Sequence, residues 1–200
     1  MTISASVRFF EQQFQRQLQE AELRLNPFEE IALPWLRGQV LDFGCGLGNL
    51  AIAAARRGCS VLALDGSPTA IEHLRQRAAQ AALPIVAQEV DLADYRLQED
   101  YDTVVSIGLL MFLDCEHAWR QLAQLQEHLR PGGVAIINVL VQGTTYLDMF
   151  DPQQHCLLRA EQLRARFADW QIERWVLQDY PAPHGQVKSF ASLIARKPLV

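Results

Sequence analysis

Lysine is almost missing. Lys188 and Lys197 are the only two in 200 residues, and arginine supplies the rest of the 18 basic side chains. Against 23 Asp and Glu they leave a formal net charge of −5, and no segment gathers them into the basic stripe that a phosphate backbone requires. Nucleic acid is therefore not an expected partner. Long apolar runs are missing too. The greasiest stretch, Val104 to Leu113, is broken by Ser106 and Gly108 and bounded by Asp102 and Asp114, well short of the ~20 apolar residues of a membrane span. Met1-Thr2-Ile3-Ser4-Ala5-Ser6 carries no basic-then-apolar leader pattern, so the expected setting is cytoplasmic, with no membrane partner. Cysteine is sparse: Cys45, Cys59, Cys115 and Cys156 form no Cys-x-x-Cys pair. Neither a disulfide framework nor a zinc site is expected, and the thiols are read as free in a reducing compartment. No His, Cys or Asp spacing suits a metal ion.

Half the residues are hydrophobic and a fifth are charged, an ordinary globular mixture, with length for one domain and a sizeable core. No repeat or linker divides the chain. The expectation is a single domain over 1–200, with 1–37 as a helical cap or lid and 38–200 as a sheet core. In the cap, Val7, Phe10, Phe14, Leu18 and Ala21 recur at helical spacing and predict an amphipathic helix to about Leu25. Asn26-Pro27 then caps a second short helix carrying Phe28, Ile31, Ala32 and Trp35 and ending near Gly38.

Beyond Gly38 apolar strand runs alternate with helical patterns. Strands are predicted at Val40–Phe43, Ser60–Leu64, Ile85–Val90, Asp102–Ile107 and Val134–Val141, with helices at Asn49–Arg57, Pro68–Ala82 and Glu116–Leu129. Such alternation implies βαβ units and a parallel sheet covered on both faces. The chain ends differently: a helix near Ala160–Phe167, then two extended runs, Trp170–Leu177 and Val187–Ala195, joined by a Pro/Gly-rich loop, which predict an antiparallel hairpin.

In open α/β sheets ligands bind beyond the carboxyl ends of the strands, so the turns there hold the candidates. After the first strand comes Asp42-Phe43-Gly44-Cys45-Gly46-Leu47-Gly48-Asn49, where glycines let backbone approach a ligand closely. Asp65 ends the second strand, where a carboxylate can accept both hydroxyls of a ribose, and Gly66, Ser67 and Pro68 open the next helix. A dinucleotide site needs its third glycine one residue later, where Asn49 stands. The spacing thus favours S-adenosylmethionine, which has no phosphate. A solvated glycine turn, an Asp-Gly turn at Asp65 and a cap at Asp91 are the structural alternatives.

The segments VLDFGCGLGNL, VLALDGSP, EVDLADY and LRPGGVAIINVL together resemble the class I S-adenosylmethionine-dependent methyltransferases, from about Val40 to Val141. YDTVVSIGLLMFLD, FADWQIERW and FASLIARK are similar to the tellurite-resistance branch of small methyltransferases. The resemblance implies a Rossmann-like class I α/β fold: a seven-stranded, mostly parallel sheet in order 3-2-1-4-5-7-6, helices on both faces and a C-terminal antiparallel hairpin. It also implies that Gly44, Cys45, Gly46 and Gly48 form the methionine turn, that Asp65 holds the ribose, and that Gly66, Ser67, Asp91 and Leu92 border the adenine. Ile107 and Gly108 would close over the sulfonium. Met111, Phe112, Tyr146 and Lys188 would line the acceptor pocket, and His184 would be the catalytic candidate in the hairpin loop, although Gly185 stands where the branch carries arginine.

The implied activity is methyl transfer from S-adenosyl-L-methionine, leaving S-adenosyl-L-homocysteine, to a small molecule such as a chalcogen oxyanion (tellurite or selenite) or a small thiol. The expected assembly is a monomer or homodimer. Two rival readings are an NAD-dependent oxidoreductase and a non-catalytic S-adenosylmethionine-binding protein.

Overall fold

The computed structural model describes residues 5–19 and 23–199. Met1–Ser4, Ala21 and the Val7 side chain, all used above, lie outside the described residues. Helix α1 (Ala5–Gln19) is followed by α2 (Pro27–Ala32) and a 3-10 turn at Leu33–Trp35. α2 starts as the Asn26-Pro27 pair predicts. The Asn26 side chain accepts from the Phe28 and Glu29 amides, and the Glu29 carboxylate accepts from the Asn26 amide at 2.7 Å, a complete capping box.

Seven strands follow: β1 (Gln39–Phe43), β2 (Ser60–Asp65), β3 (Ile85–Glu89), β4 (Tyr101–Ile107), β5 (Leu129–Leu140), β6 (Gln171–Pro181) and β7 (Val187–Arg196). Between them lie α3 (Asn49–Arg56), α4 (Pro68–Gln80), α5 (Cys115–Glu127) and α6 (Ala160–Ala165). They form one sheet in the order β3-β2-β1-β4-β5-β7-β6. β1 to β5 are parallel to their neighbours, and β7 runs antiparallel to both β5 and β6. This is the class I methyltransferase fold.

Strand alternation divides the core between the two faces. Leu41, Phe43 and Val104 pack with Leu122 and Leu125 of α5 and Leu163 of α6. On the other face Val40 and Val105 pack with Ala32 of α2, Leu50 and Ala54 of α3, and Ile71 and Leu74 of α4. Fully burying such a side chain stabilises by about 1.5–3 kcal/mol, so both layers are held firmly. β5 begins earlier than expected. Leu129 already pairs with Tyr101, and the register then shifts before Thr103 meets Val134, so the Pro131-Gly132-Gly133 turn signal falls inside an irregular strand.

The cysteine reading needs correction. Cys115 and Cys156 are joined in a disulfide, their Cα atoms 4.8 Å apart across 41 residues, whereas Cys45 and Cys59 are free and buried. The sequence hides the pair because only the return of the chain after β5 brings Cys156 beside the start of α5, where its amide donates to the Met111 carbonyl at 3.0 Å. Among the described residues no helix is long and apolar enough to cross a membrane.

Candidate functional site

The carboxyl ends of β1, β2, β4 and β5 open into a cavity of about 410 Å³. Its floor is the turn from Gly44 to Leu47. The Gly44 and Cys45 amides both donate to the Leu64 carbonyl, at 2.9 and 3.0 Å, folding the turn back over β2. Gly44 has φ +87°, and a Cβ there would stand 2.9 Å from the Leu109 side chain. Gly48 does not line the cavity; with φ +71° it caps α3 and keeps the turn tight. Cys45 is buried, and burial pushes its thiol well above the usual range. It is no nucleophile.

Asp65 closes the turn from the β2 side. One carboxylate oxygen accepts the Gly46 amide at 2.8 Å and the other the Ser67 amide at 2.9 Å. Each oxygen keeps lone pairs for a ligand hydroxyl. Burial raises the Asp65 pKa even though these amides lower it. Ser67 is buried and caps α4 by accepting the Ala70 amide at 3.1 Å. Neither Gly66 nor Ser67 lines the cavity.

The expected adenine border differs. Asp91 is exposed, and its carboxylate accepts the Ala93 amide at 3.0 Å, a local turn cap, while Leu92 is buried in the core beneath. Neither residue lines the cavity. Ile107, Gly108, Met111, Phe112, Tyr146 and Lys188 all do. His184 does not. It occupies the exposed hairpin tip with φ +59°, in the left-handed region, so the loop that would carry it over the cofactor turns it outward.

The helix expected as a cap or lid supplies lining residues whose spacing alone does not assign them to the site. α1 lies across the opening with Phe10, Gln13, Phe14 and Gln17 facing in. The Phe14 ring comes within 3.2 Å of where a Gly46 Cβ would stand, and Phe10 meets Phe112 edge-to-face at 4.7 Å. Glu11 pins the helix by accepting the Ser67 and Thr69 hydroxyls. Burial raises the Glu11 pKa, but those hydroxyls and the Gln15 amide outweigh it and leave it lowered. Amphipathic spacing is equally consistent with plain core packing, so only the tertiary arrangement shows which face meets the cavity.

Asp42 lines the cavity although its place inside a buried strand gives it no motif signal. It sits on β1, only 5 % exposed, with Oδ2 unpartnered. Burial, then the negative charges of Glu29 and Asp65, push its pKa up to about 8. Asn138 on β5 is 3 % exposed; its amide donates to the Ser192 hydroxyl at 2.8 Å, while its Oδ1 has no partner. Buried polar atoms normally find partners, and both of these line the cavity together with Glu29 and Asp65. No three His, Cys, Asp or Glu among the described residues could hold a metal ion together. The arrangement therefore suits an organic ligand that brings positive charge and hydrogen-bond donors.

This carboxylate makes a prediction for the free protein. The folded pKa of Asp42 is raised, so the folded state binds more protons than the unfolded state between about 4 and about 8. Stability should fall as pH rises through that window and level off above it. Asp42→Asn should flatten that slope and raise the melting temperature of the ligand-free protein at pH 8. Thermal unfolding from pH 5 to 9 checks this; an unchanged slope would remove Asp42 as its source.

Residues 40–133 match a family model described as a methyltransferase domain. Hemagglutinin 1 of Eikenella corrodens is 30% identical over 141 residues, covering 68% of this chain and 45% of that protein. A carboxy-S-adenosyl-L-methionine synthase of Yersinia pestis is 34% identical over 106 residues, covering 50% of this chain and 39% of that one. The chain thus spans less than half the length of these curated relatives. Among solved structures, TehB from Haemophilus influenzae aligns with TM-score 0.74 at 22% identity, over 86% of this chain and 62% of that one. The N-methyltransferase NodS from Bradyrhizobium japonicum, in complex with S-adenosyl-L-homocysteine, aligns with TM-score 0.69 at 19% identity, over 94% and 98%. At these identities the structural likenesses speak to the fold.

Proposed function

We propose, for a chain whose residues 40–133 carry a methyltransferase domain, that it binds S-adenosyl-L-methionine in the cavity at the carboxyl ends of β1 and β2 and transfers the methyl group to a small molecule. The observation that carries this reading is the charge of the site. Three buried or half-buried carboxylates, Asp42, Asp65 and Glu29, meet a glycine turn there, and a cation bound among them favours their ionised forms over the neutral forms that burial favours. Such a lining repels a pyrophosphate and attracts a sulfonium and an ammonium. The match to the methyltransferase-domain model supports the same reading, as does the 34% identity to a carboxy-S-adenosyl-L-methionine synthase.

In this reading the Gly44–Leu47 turn takes the methionine portion and Asp65 takes the ribose hydroxyls. Ile107 and Gly108 border the sulfonium from β4, and Met111, Phe112, Tyr146 and Lys188 face the acceptor. Asp42, held largely protonated by burial in the free protein, ionises when a cation binds beside it. The domain is one unit over 1–200, and α1, within the 1–37 segment, is its lid, ordered over the bound cofactor by Phe10, Phe14 and the Glu11 bonds to Ser67 and Thr69. The sulfonium carbon is already activated, so the protein's contribution is alignment and exclusion of water. Well-oriented intramolecular reactions gain up to about 7–11 kcal/mol in this way. For the acceptor, a chalcogen oxyanion or a small thiol is the reading carried from the sequence, and Lys188 supports a negatively charged acceptor of either kind.

Calorimetry with S-adenosylmethionine and with NAD should give binding of the first alone, and S-adenosylhomocysteine should be released in the presence of an acceptor. Binding of NAD instead would overturn the assignment. Tight cofactor binding without release across a broad acceptor panel would turn it into a non-catalytic binding protein.

A further inference from the structure

After β5 the chain stays tied to β7 only as far as Tyr146, whose amide donates to the Val187 carbonyl at 3.2 Å. Beyond it, among the described residues, every hydrogen bond made by 147–155 stays inside that segment. The Phe150 amide donates to the Leu147 carbonyl, the Gln153 and Gln154 amides donate to Asp151, and the His155 ring meets the Asp151 carbonyl. Side-chain packing therefore seats the segment on the domain. Met149 lines the cavity, and the Phe150 ring lies 5.0 Å from that of Phe112. Phe112 in turn meets Phe10 of α1, so one row of rings runs from α1 to this flap. A segment without backbone ties to the sheet opens locally at low cost unless its ends are pinned.

Cys156 is the pin at the far end. Its amide donates to the Met111 carbonyl at 3.0 Å, and its sulfur is bonded to Cys115, the first residue of α5 and three positions beyond Phe112. The two half-cystines differ in access. Cys156 is 1 % exposed, packed with Ala118 and Leu158, whereas Cys115 is exposed. A thiolate arriving from solvent thus meets the Cys115 side of the bond. The helix N-terminus also favours the Cys115 thiolate, which makes Cys115 a good leaving group once a mixed disulfide has formed on it.

We infer that Cys115–Cys156 is a thiol-exchange site, opened by a dithiol reductant, and that the bond fixes the 147–155 flap over the acceptor end of the cavity; only the naming of that end rests on the methyltransferase reading above. In the first step a reductant thiolate bonds to the Cys115 sulfur. The Cys115–Cys156 bond breaks, its electron pair goes to Cys156, and that buried sulfur takes a proton from solvent. The reductant's second thiolate then attacks its own sulfur in the mixed disulfide and displaces Cys115 as a thiolate. The protein disulfide has gained two electrons, and the dithiol has become a disulfide. The flap is then held by its rings and the Cys156 amide alone.

The test uses the full chain, isolated without reductant. Alkylation after denaturation should label Cys45 and Cys59 only. Dithiothreitol added to the native protein should open Cys115 and Cys156 to alkylation with the circular dichroism spectrum unchanged. Hydrogen exchange at 147–155 and at Leu110–Phe112 should then accelerate about tenfold or more, while β1 and the Gly44–Leu47 turn keep their rates. Oxidised glutathione should couple to Cys115 in Cys156→Ser and leave Cys156 untouched in Cys115→Ser. The exchange measurement is made on reduced wild type, so it does not depend on either variant folding. Labelling of all four cysteines before reduction overturns the inference. So does a bond that yields only as the spectrum collapses, exchange at 147–155 that does not change, or glutathione coupling to Cys156 instead. Calorimetry on the oxidised and reduced forms should give equal S-adenosylmethionine affinity; binding by neither form overturns the methyltransferase reading and leaves the exchange site to be judged by labelling and exchange rates.

Discussion

Replacing Asp65 with alanine is expected to weaken S-adenosylmethionine binding about 100-fold, or about 3 kcal/mol. Two losses combine. The ribose hydroxyls lose a charged acceptor, and hydrogen bonds to charged groups contribute about 1.5–3 kcal/mol. The Gly46 amide, 2.8 Å from one Asp65 oxygen, and the Ser67 amide, 2.9 Å from the other, are left without their acceptor. The turn that should receive the methionine portion then has no tether to β2 on that side. Asp65→Asn keeps one oxygen and should fall between the two proteins. Calorimetry on folded variants, with circular dichroism to check the fold, measures this. Unchanged affinity in folded Asp65→Ala would remove Asp65 from the site and leave its carboxylate as a turn brace only.

Gly48→Ala is expected to lower stability by about 3 kcal/mol and the melting temperature by roughly 6–12 °C. The residue has φ +71°, where an L side chain costs about 1–2 kcal/mol. Its Cβ would also stand 2.5 Å from Leu74 Cδ1 and 2.6 Å from Cδ2, and Leu74 is fully buried in the α2–α4 layer. That collision forces overpacking of about 1–3 kcal/mol. Adding Leu74→Ala should recover the collision but not the backbone strain, so the double-mutant cycle separates the two. Gly58→Ala is the control: φ is +92° but nothing lies within 4 Å, so it should lose about 1–2 kcal/mol from strain alone. Equal melting temperatures for Gly48→Ala and wild type would sink the packing argument.

The two substitutions also separate what is local from what is not. Gly48 and Asp65 are both legible in the chain because each sits in a short motif whose backbone needs are set by immediate neighbours. The glycine turn must bend after β1, and the acid must end β2, whatever surrounds them. Asp91 has the same kind of motif support, yet its carboxylate turns to the Ala93 amide two residues on. Nothing in the sequence distinguishes a turn cap from a ligand contact when both use the same side-chain oxygen. The resemblance assigns His184 to the catalytic role, yet the hairpin tip, with φ +59° at this residue, leaves it exposed to solvent.

What the sequence determined by itself was the order of strands and helices, the parallel sheet with its terminal hairpin, and the turn and acid that define one end of the cavity. Hydrophobic period and turn chemistry act over a few residues, so they are written locally. The tertiary structure alone decided which face of α1 meets the cavity, that Asp42 and Asn138 share it with unpartnered oxygens, that Cys156 returns to Cys115, and that the Lys188 ammonium lies over the Tyr146 ring. Each joins residues tens of positions apart, and their meeting depends on strand register and on helices docking over the sheet. No local pattern encodes that distance.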